Sequence, residues 1–337
     1  MSNANTYGDQ LIETLLNAAN ELHDETGVPM PVIADAMYLG CGIPYSIFGA
    51  AEPETASRPE QHETDVPPIR TLGLIGAGTM SQGIARAALR AGIDVAIVAR
   101  DPERATAASN AVLRDVSGAT AHVASSPHLE TLAGADIIVE AISEDLAGKQ
   151  RVLSEVERAV PEAIVLATTT SSLAVDDIAS ALADPRRLVG LHFFNPADRN
   201  RLVELVAGPA PQSHQRRARQ LAAQLNKHLV EVPGTPGFIV NRVLIPYLNA
   251  VFDFVDRGAP LREIDLDIRR RYRLPVGPAR LAGIIGSDVV LAIQTSLHQR
   301  LERPDLRPAC ALQALVDRGV LGNKSGHMFP AALNDGV

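Results

Sequence analysis

The chain has no tryptophan, only two cysteines and, among 31 basic residues, only three lysines, Lys149, Lys227 and Lys324. Cys41 and Cys310 lie far apart and form no metal-type spacing. They read as reduced thiols in a cytoplasmic protein, with no disulfide framework and no metal centre. No apolar run approaches the roughly 18 to 20 residues of a membrane span. Met1 to Glu13 also lacks a basic stretch followed by an apolar core, which argues against export and membrane insertion. Positive charge is in deficit as well. A formal net charge of −8 excludes nucleic acid as a default partner, because such binders draw affinity from clustered cations. What is present, 337 residues at 46% apolar content, is enough for a full core and favours two domains or a little more.

Four segments emerge along the chain. Residues 1–52 form a short helical module. Residues 53–69, rich in proline, glutamate and threonine, have the profile of an exposed linker. Residues 70–234 alternate strand and helix patterns, beginning TLGLI (71–75), a glycine turn, an apolar-periodic stretch from Met80 to Ala91, and DVAIVA (94–99). Further strand-like runs follow at 135–142, 163–168, 188–193, 202–207 and 228–233, which predicts a Rossmann-type, doubly wound, mainly parallel α/β sheet. From Pro236 the strands stop. Helical patterns over 237–258, 261–272, 286–301 and 309–319 predict an all-α domain over 235–337. Part of this domain repeats the N-terminal module: Leu248-Asn249-Ala250 parallels Leu16-Asn17-Ala18, RGAP parallels TGVP, Ile264 parallels Ile33 and Pro275 parallels Pro44, with a one-residue gap.

The turn Gly76-Ala77-Gly78-Thr79-Met80-Ser81 stands between a strand and a helix pattern. There glycines permit a tight turn and let backbone reach a pyrophosphate at a helix N-terminus. Ser81 replaces the third glycine and is small enough for helix and strand to pack closely. At the end of the second strand, where an acidic residue usually marks NAD, the sequence reads Ala99-Arg100-Asp101. Arg100 suits a 2′-phosphate, which favours NADP over NAD. The alternative leaves Asp101 as a displaced ribose ligand or as the cap of the following helix.

His192 follows the apolar run Leu188 to Leu191 and precedes Phe193-Phe194-Asn195-Pro196, and Glu204 lies in another strand-like run twelve positions later. If two adjacent strand ends bring them together, the imidazole can exchange a substrate proton while the carboxylate orients it. Read alone, a histidine after an apolar strand is more often a satisfied structural residue, and Glu204 is compatible with a solvent-facing position on an edge strand.

The motifs LHFFNP (191–196), LVEL (202–205), TSSL (170–173), TPGFIVNR (235–242) and LGNKSG (321–326), in this order, resemble the 3-hydroxyacyl-CoA dehydrogenases over about residues 70–330. The resemblance implies a Rossmann domain followed by a helical domain that pairs into a homodimer. It also implies hydride exchange between a nicotinamide cofactor and the 3-position of a short acyl thioester, carried by CoA or an acyl-carrier protein. It makes His192 the acid/base and Glu204 its partner. Ser171, Asn195 and Asn241 become substrate contacts, and Glu144 and Lys149 contacts on the nicotinamide side, a plain ion pair being the alternative for the last two. Thr169 stands where the family commonly has asparagine, and GPARL after Pro275 lacks the usual aromatic. Two other readings are a β-hydroxyacid dehydrogenase, which would use a lysine base in the helical domain where Asn241 stands, and a non-catalytic dinucleotide sensor.

Overall fold

The computed structural model describes residues 6–52, 65–116, 120–161 and 164–326, arranged as two compact units. One joins residues 1–56 to 236–337, and the other spans 57–235. Most of the expected linker, residues 53–64, lies outside the described residues. Its end does not behave as a linker: Ile69 is buried and exchanges hydrogen bonds with the Gln224 amide.

The first unit opens with α1 (Tyr7–Thr26), started by a reciprocal Thr6/Asp9 capping box and stopped by Gly27 in the left-handed region. Its buried stripe Leu11, Leu15, Ala18, Ala19 and Leu22 has helical spacing. After Pro29 comes α2 (Met30–Cys41), stopped by Gly42, also left-handed.

The second unit is a sheet with helical crossovers. In chain order its elements are β1 (Thr71–Ile75), α3 (Thr79–Arg90), β2 (Asp94–Val98), α4 (Pro102–Arg114), β3 (Val123–Ser126), β4 (Ile137–Glu140), α5 (Leu146–Ala159), β5 (Val165–Thr168), α6 (Val175–Ala179), β6 (Leu188–Phe193), β7 (Leu202–Val206), α7 (Gln212–Gln224) and β8 (His228–Val232). The eight strands lie in the order β3-β2-β1-β4-β5-β6-β7-β8. All neighbours are parallel except β6 and β7, which run antiparallel. The cause is connection length. Residues 194–201 are too few for the crossover that parallel strands need, whereas α7 supplies one between β7 and β8. Strands β4 to β7 are buried throughout, as their near-continuous apolar runs require of a sheet covered on both faces.

The first unit resumes with α8 (Val240–Asp256), α9 (Leu261–Tyr272), α10 (Pro278–Ile285), α11 (Ser287–Leu301) and α12 (Cys310–Asp317). Helix α8 is its core: Val243, Leu244, Tyr247, Leu248, Val251 and Phe252 are all buried. No single helix among the described residues is long and apolar enough to cross a membrane. The LGNKSG segment clamps α10. Gly322, at φ +79°, sits so close to Gly283 that an added Cβ would fall 2.1 Å from its carbonyl oxygen.

Candidate active site

Strand order reverses direction at β1, between β2 and β4, and crevices at the carboxyl ends of strands at such a point receive ligands in open α/β sheets. The glycine turn stands there. Gly76 has φ +116°, and a Cβ on it would lie 2.5 Å from the Ala141 carbonyl oxygen, so only glycine fits. Gly78 caps α3, and a Cβ there would meet nothing within 4 Å, so backbone is presented to open space. Ser81, fully buried, donates from Oγ to the Gly76 carbonyl at 2.7 Å and so ties helix to turn. Thr79 begins α3, and Met80 packs partly against the core. An open turn of this kind, at a helix N-terminus, fits a dinucleotide pyrophosphate.

Arg100 is exposed just past β2. Asp101 is the N-cap of α4, accepting from Arg104 N at 2.8 Å, with the Arg104 guanidinium 3.4 Å from its other oxygen. Of the alternatives open for Asp101, the geometry shows the cap.

His192 and Glu204 are direct partners in the β6–β7 register. Opposed residues of an antiparallel pair project to the same face, and here they meet: His192 Nδ1 lies 2.6 Å from Glu204 Oε2. Glu204 is fully buried and His192 nearly so, with the Phe194 ring 4.4 Å from the imidazole centroid to centroid. A carboxylate on Nδ1 selects the tautomer with hydrogen on that nitrogen and steadies the ring when Nε2 takes a proton. Beyond His192 the chain passes exposed Asn195 and a cis Asn195–Pro196 bond.

Thr168 at the end of β5 pairs with Gly190 on β6, so Ser171 follows the strand next to that of His192, on the same edge of the sheet. Its loop is gathered by one carboxylate. Glu144 Oε1 accepts from Thr170 Oγ1 at 2.7 Å, Ser171 N at 2.8 Å and Ser172 N at 2.9 Å. Burial pushes the Glu144 pKa up, but Lys149 and these donors outweigh it and hold the group below its ordinary value. Lys149 lies fully buried beneath, with Nζ 2.8 and 3.0 Å from the Glu140 oxygens and 3.5 Å from Glu144 Oε2.

Glu140 is not among the residues that the sequence motifs single out. It is fully buried and accepts also from Thr168 Oγ1 at 2.6 Å and Ile142 N at 2.7 Å, tying together β4, β5 and α5 below the site. A signal existed: Glu140 is a charge inside the apolar run ADIIVEAI, with one of three lysines nine positions on. Lys227 was also missed. Its ammonium donates to the Ala197 and Asn200 carbonyls, each at 2.6 Å, and so fixes the loop that follows Asn195. Burial lowers its pKa to about 8 although Asp198 acts the other way.

Asn241 belongs to the other unit, buried in the first turn of α8. What places it is the preceding Gly237–Phe238 pair, at φ +80° and +52°. A Cβ on Gly237 would fall 2.9 Å from Leu297 Cδ2 and 3.0 Å from Arg242 N, so glycine is required there.

Residues 71–235 match the family model for the 3-hydroxyacyl-CoA dehydrogenase NAD binding domain, and residues 237–331 that for its C-terminal domain. A probable 3-hydroxybutyryl-CoA dehydrogenase of Bacillus subtilis is 34% identical over 277 residues, covering 77% of this chain and 96% of the relative. The 3-hydroxybutyryl-CoA dehydrogenase of Mycobacterium tuberculosis is 32% identical over 280 residues, covering 77% and 98%. The crystal structure of (S)-3-hydroxybutyryl-CoA dehydrogenase from Ralstonia eutropha superposes with a TM-score of 0.72 at 32% identity, covering 77% of this chain and 97% of that one. The chain belongs to the 3-hydroxyacyl-CoA dehydrogenase family, NAD-dependent oxidoreductases that interconvert 3-hydroxyacyl and 3-ketoacyl-CoA.

Proposed function

We propose that His192 Nε2 removes the proton of the 3-hydroxyl group during oxidation and returns it during reduction, on short-chain acyl-CoA substrates of the 3-hydroxybutyryl type that the relatives' names print. The observation that carries this reading is the buried 2.6 Å contact between His192 Nδ1 and Glu204 Oε2. Glu204 stabilises the imidazolium formed when the hydroxyl proton is taken. The bound nicotinamide supplies the acceptor or donor of hydride. Ser171 Oγ donates toward the substrate oxygen, its loop held by Glu144. Asn195, exposed after β6, and Asn241, on α8, keep the substrate contacts that the resemblance implies.

The cofactor is held by the Gly76–Ser81 turn. Glu144, one-third exposed, meets its nicotinamide side, and the buried Lys149 acts through Glu144. NADP is preferred to NAD: Arg100 is exposed at the end of β2, and the neighbouring Asp101 carboxylate is occupied in capping α4. The carrier is CoA rather than an acyl-carrier protein. The two free cysteines fit the reducing cytoplasm.

Arg100→Ala tests the cofactor assignment. A hydrogen bond to a charged group contributes about 1.5–3 kcal/mol, so kcat/KM for NADPH is expected to fall roughly 10- to 100-fold while that for NADH changes little. An unchanged NADPH to NADH ratio contradicts it. Comparison of acetoacetyl-CoA with the acetoacetyl-carrier-protein thioester separates the carriers.

A further inference from the structure

The repeat seen in the sequence is also a repeat in structure. Helix α1 ends at Gly27 (φ +72°) and α8 is followed by Gly258 (φ +86°). Pro29 and Pro260 are the N-caps of α2 and α9, each twelve residues long, and these end at left-handed Gly42 and Arg273. The buried positions correspond as well, Leu11, Leu15, Ala19 and Leu22 with Val243, Tyr247, Val251 and Phe254.

The two copies pack reciprocally. Helices α1 and α8 lie against each other, α1 also touches α9, and α8 also touches α2. Polar contacts reinforce the pairing. Gly8 N donates to Asp267 Oδ2 at 2.8 Å, and the Tyr272 hydroxyl donates to Asp9 Oδ1 at 2.7 Å. Arg242, 2% exposed and adjacent to Asn241, reaches both Glu25 oxygens at 2.7 Å, and Arg303 pairs with Glu21.

Reciprocal packing, in which each copy offers the same surface to the other, is the arrangement of a two-fold homodimer. Here both copies belong to one chain. We infer that the N-terminal repeat replaces a second copy of this protein at the α8 face, so that the chain is a self-contained monomer. The homodimer implied by the family resemblance is thereby replaced at this face by a contact within the chain. The family models begin at residue 71, so the first repeat lies outside the matched region and is an addition to it. A contact within one chain is favoured over a free partner because, unlike association of two chains, it does not depend on protein concentration. The first repeat also supplies the carboxylate, Glu25, that pairs with buried Arg242 next to Asn241.

The test uses the full-length chain. Arg303→Lys keeps the charge opposite Glu21 and creates an amine that a zero-length carbodiimide can join to that carboxylate; both positions are partly exposed, and Glu21→Gln in the same background is the control. The expected result is a light-scattering mass of one chain, 35.8 kDa, at all concentrations tested, together with a 21–303 linkage inside the single-chain band, identified by peptide mass spectrometry and lost in the control. A mass of two chains, a 21–303 linkage between chains, or no such linkage overturns the inference.

Discussion

Replacing His192 with alanine lowers turnover roughly a hundredfold to ten-thousandfold, the range by which a positioned acid/base contributes, while cofactor affinity stays at the wild-type value. The two effects separate because the groups lie on different parts of the sheet. The dinucleotide turn follows β1, whereas His192 lies near the end of β6, with β4 and β5 between them. In the proposed reaction Glu204 does not exchange the substrate proton itself, so Glu204→Gln leaves a base in place and is expected to cost less than His192→Ala. Its full burial on β7 beside the imidazole makes the loss measurable in kcat. Steady-state kinetics with titration of cofactor fluorescence checks both halves. Equal rates for wild type and His192→Ala contradict the assignment, as does loss of cofactor binding in the variant.

Lys149→Met is expected to destabilise the protein by about 3–5 kcal/mol, the usual consequence of removing one member of a buried ion pair. Lys149 and Glu140 are both fully buried, and the lysine also stands 3.5 Å from Glu144. Without it, Glu140 keeps Thr168 and Ile142 as donors but loses its counter-charge in an apolar interior. Glu144 loses the neighbour that most strongly lowers its pKa, and with it part of its hold on residues 170–172. Urea unfolding is therefore expected to show the stability loss, and KM for the acyl thioester to rise. The double variant Glu140→Gln with Lys149→Met is expected to recover part of the stability, because neither charge is then left unpaired. A single variant within about 1 kcal/mol of wild type, less than removal of a buried partner normally costs, would show the pair to be dispensable.

Much of this arrangement was legible in the residues. Strands β1 and β6 and helix α9 have the limits that the apolar patterns predict, because each is a strongly patterned run bounded by turn residues. The glycine turn was legible because its spacing is a steric requirement, seen directly at Gly76. The proximity of His192 and Glu204 was only conditional. It depends on strand register, which a linear sequence does not state, and the β6–β7 pairing supplies it. Strand β3 escaped notice because VASS is a half-exposed edge strand with almost no apolar signal. Helix α10 is only eight residues long and follows the loop sequence LPVGP, which reads as a breaker. Lys227 gave no local signal because its role rests on a contact across 30 residues, to Ala197; Glu140 did carry one, a charge inside an apolar run, but its contact to Thr168 spans 28 residues.

Hydride transfer to a 3-ketoacyl thioester is followed by mixing the wild-type protein with acetoacetyl-CoA and reduced cofactor and recording the reduced-nicotinamide absorbance. The expected result is cofactor oxidation that requires the thioester, runs faster with NADPH than with NADH, and disappears in His192→Ala. No oxidation of either cofactor by folded protein that binds them would contradict it.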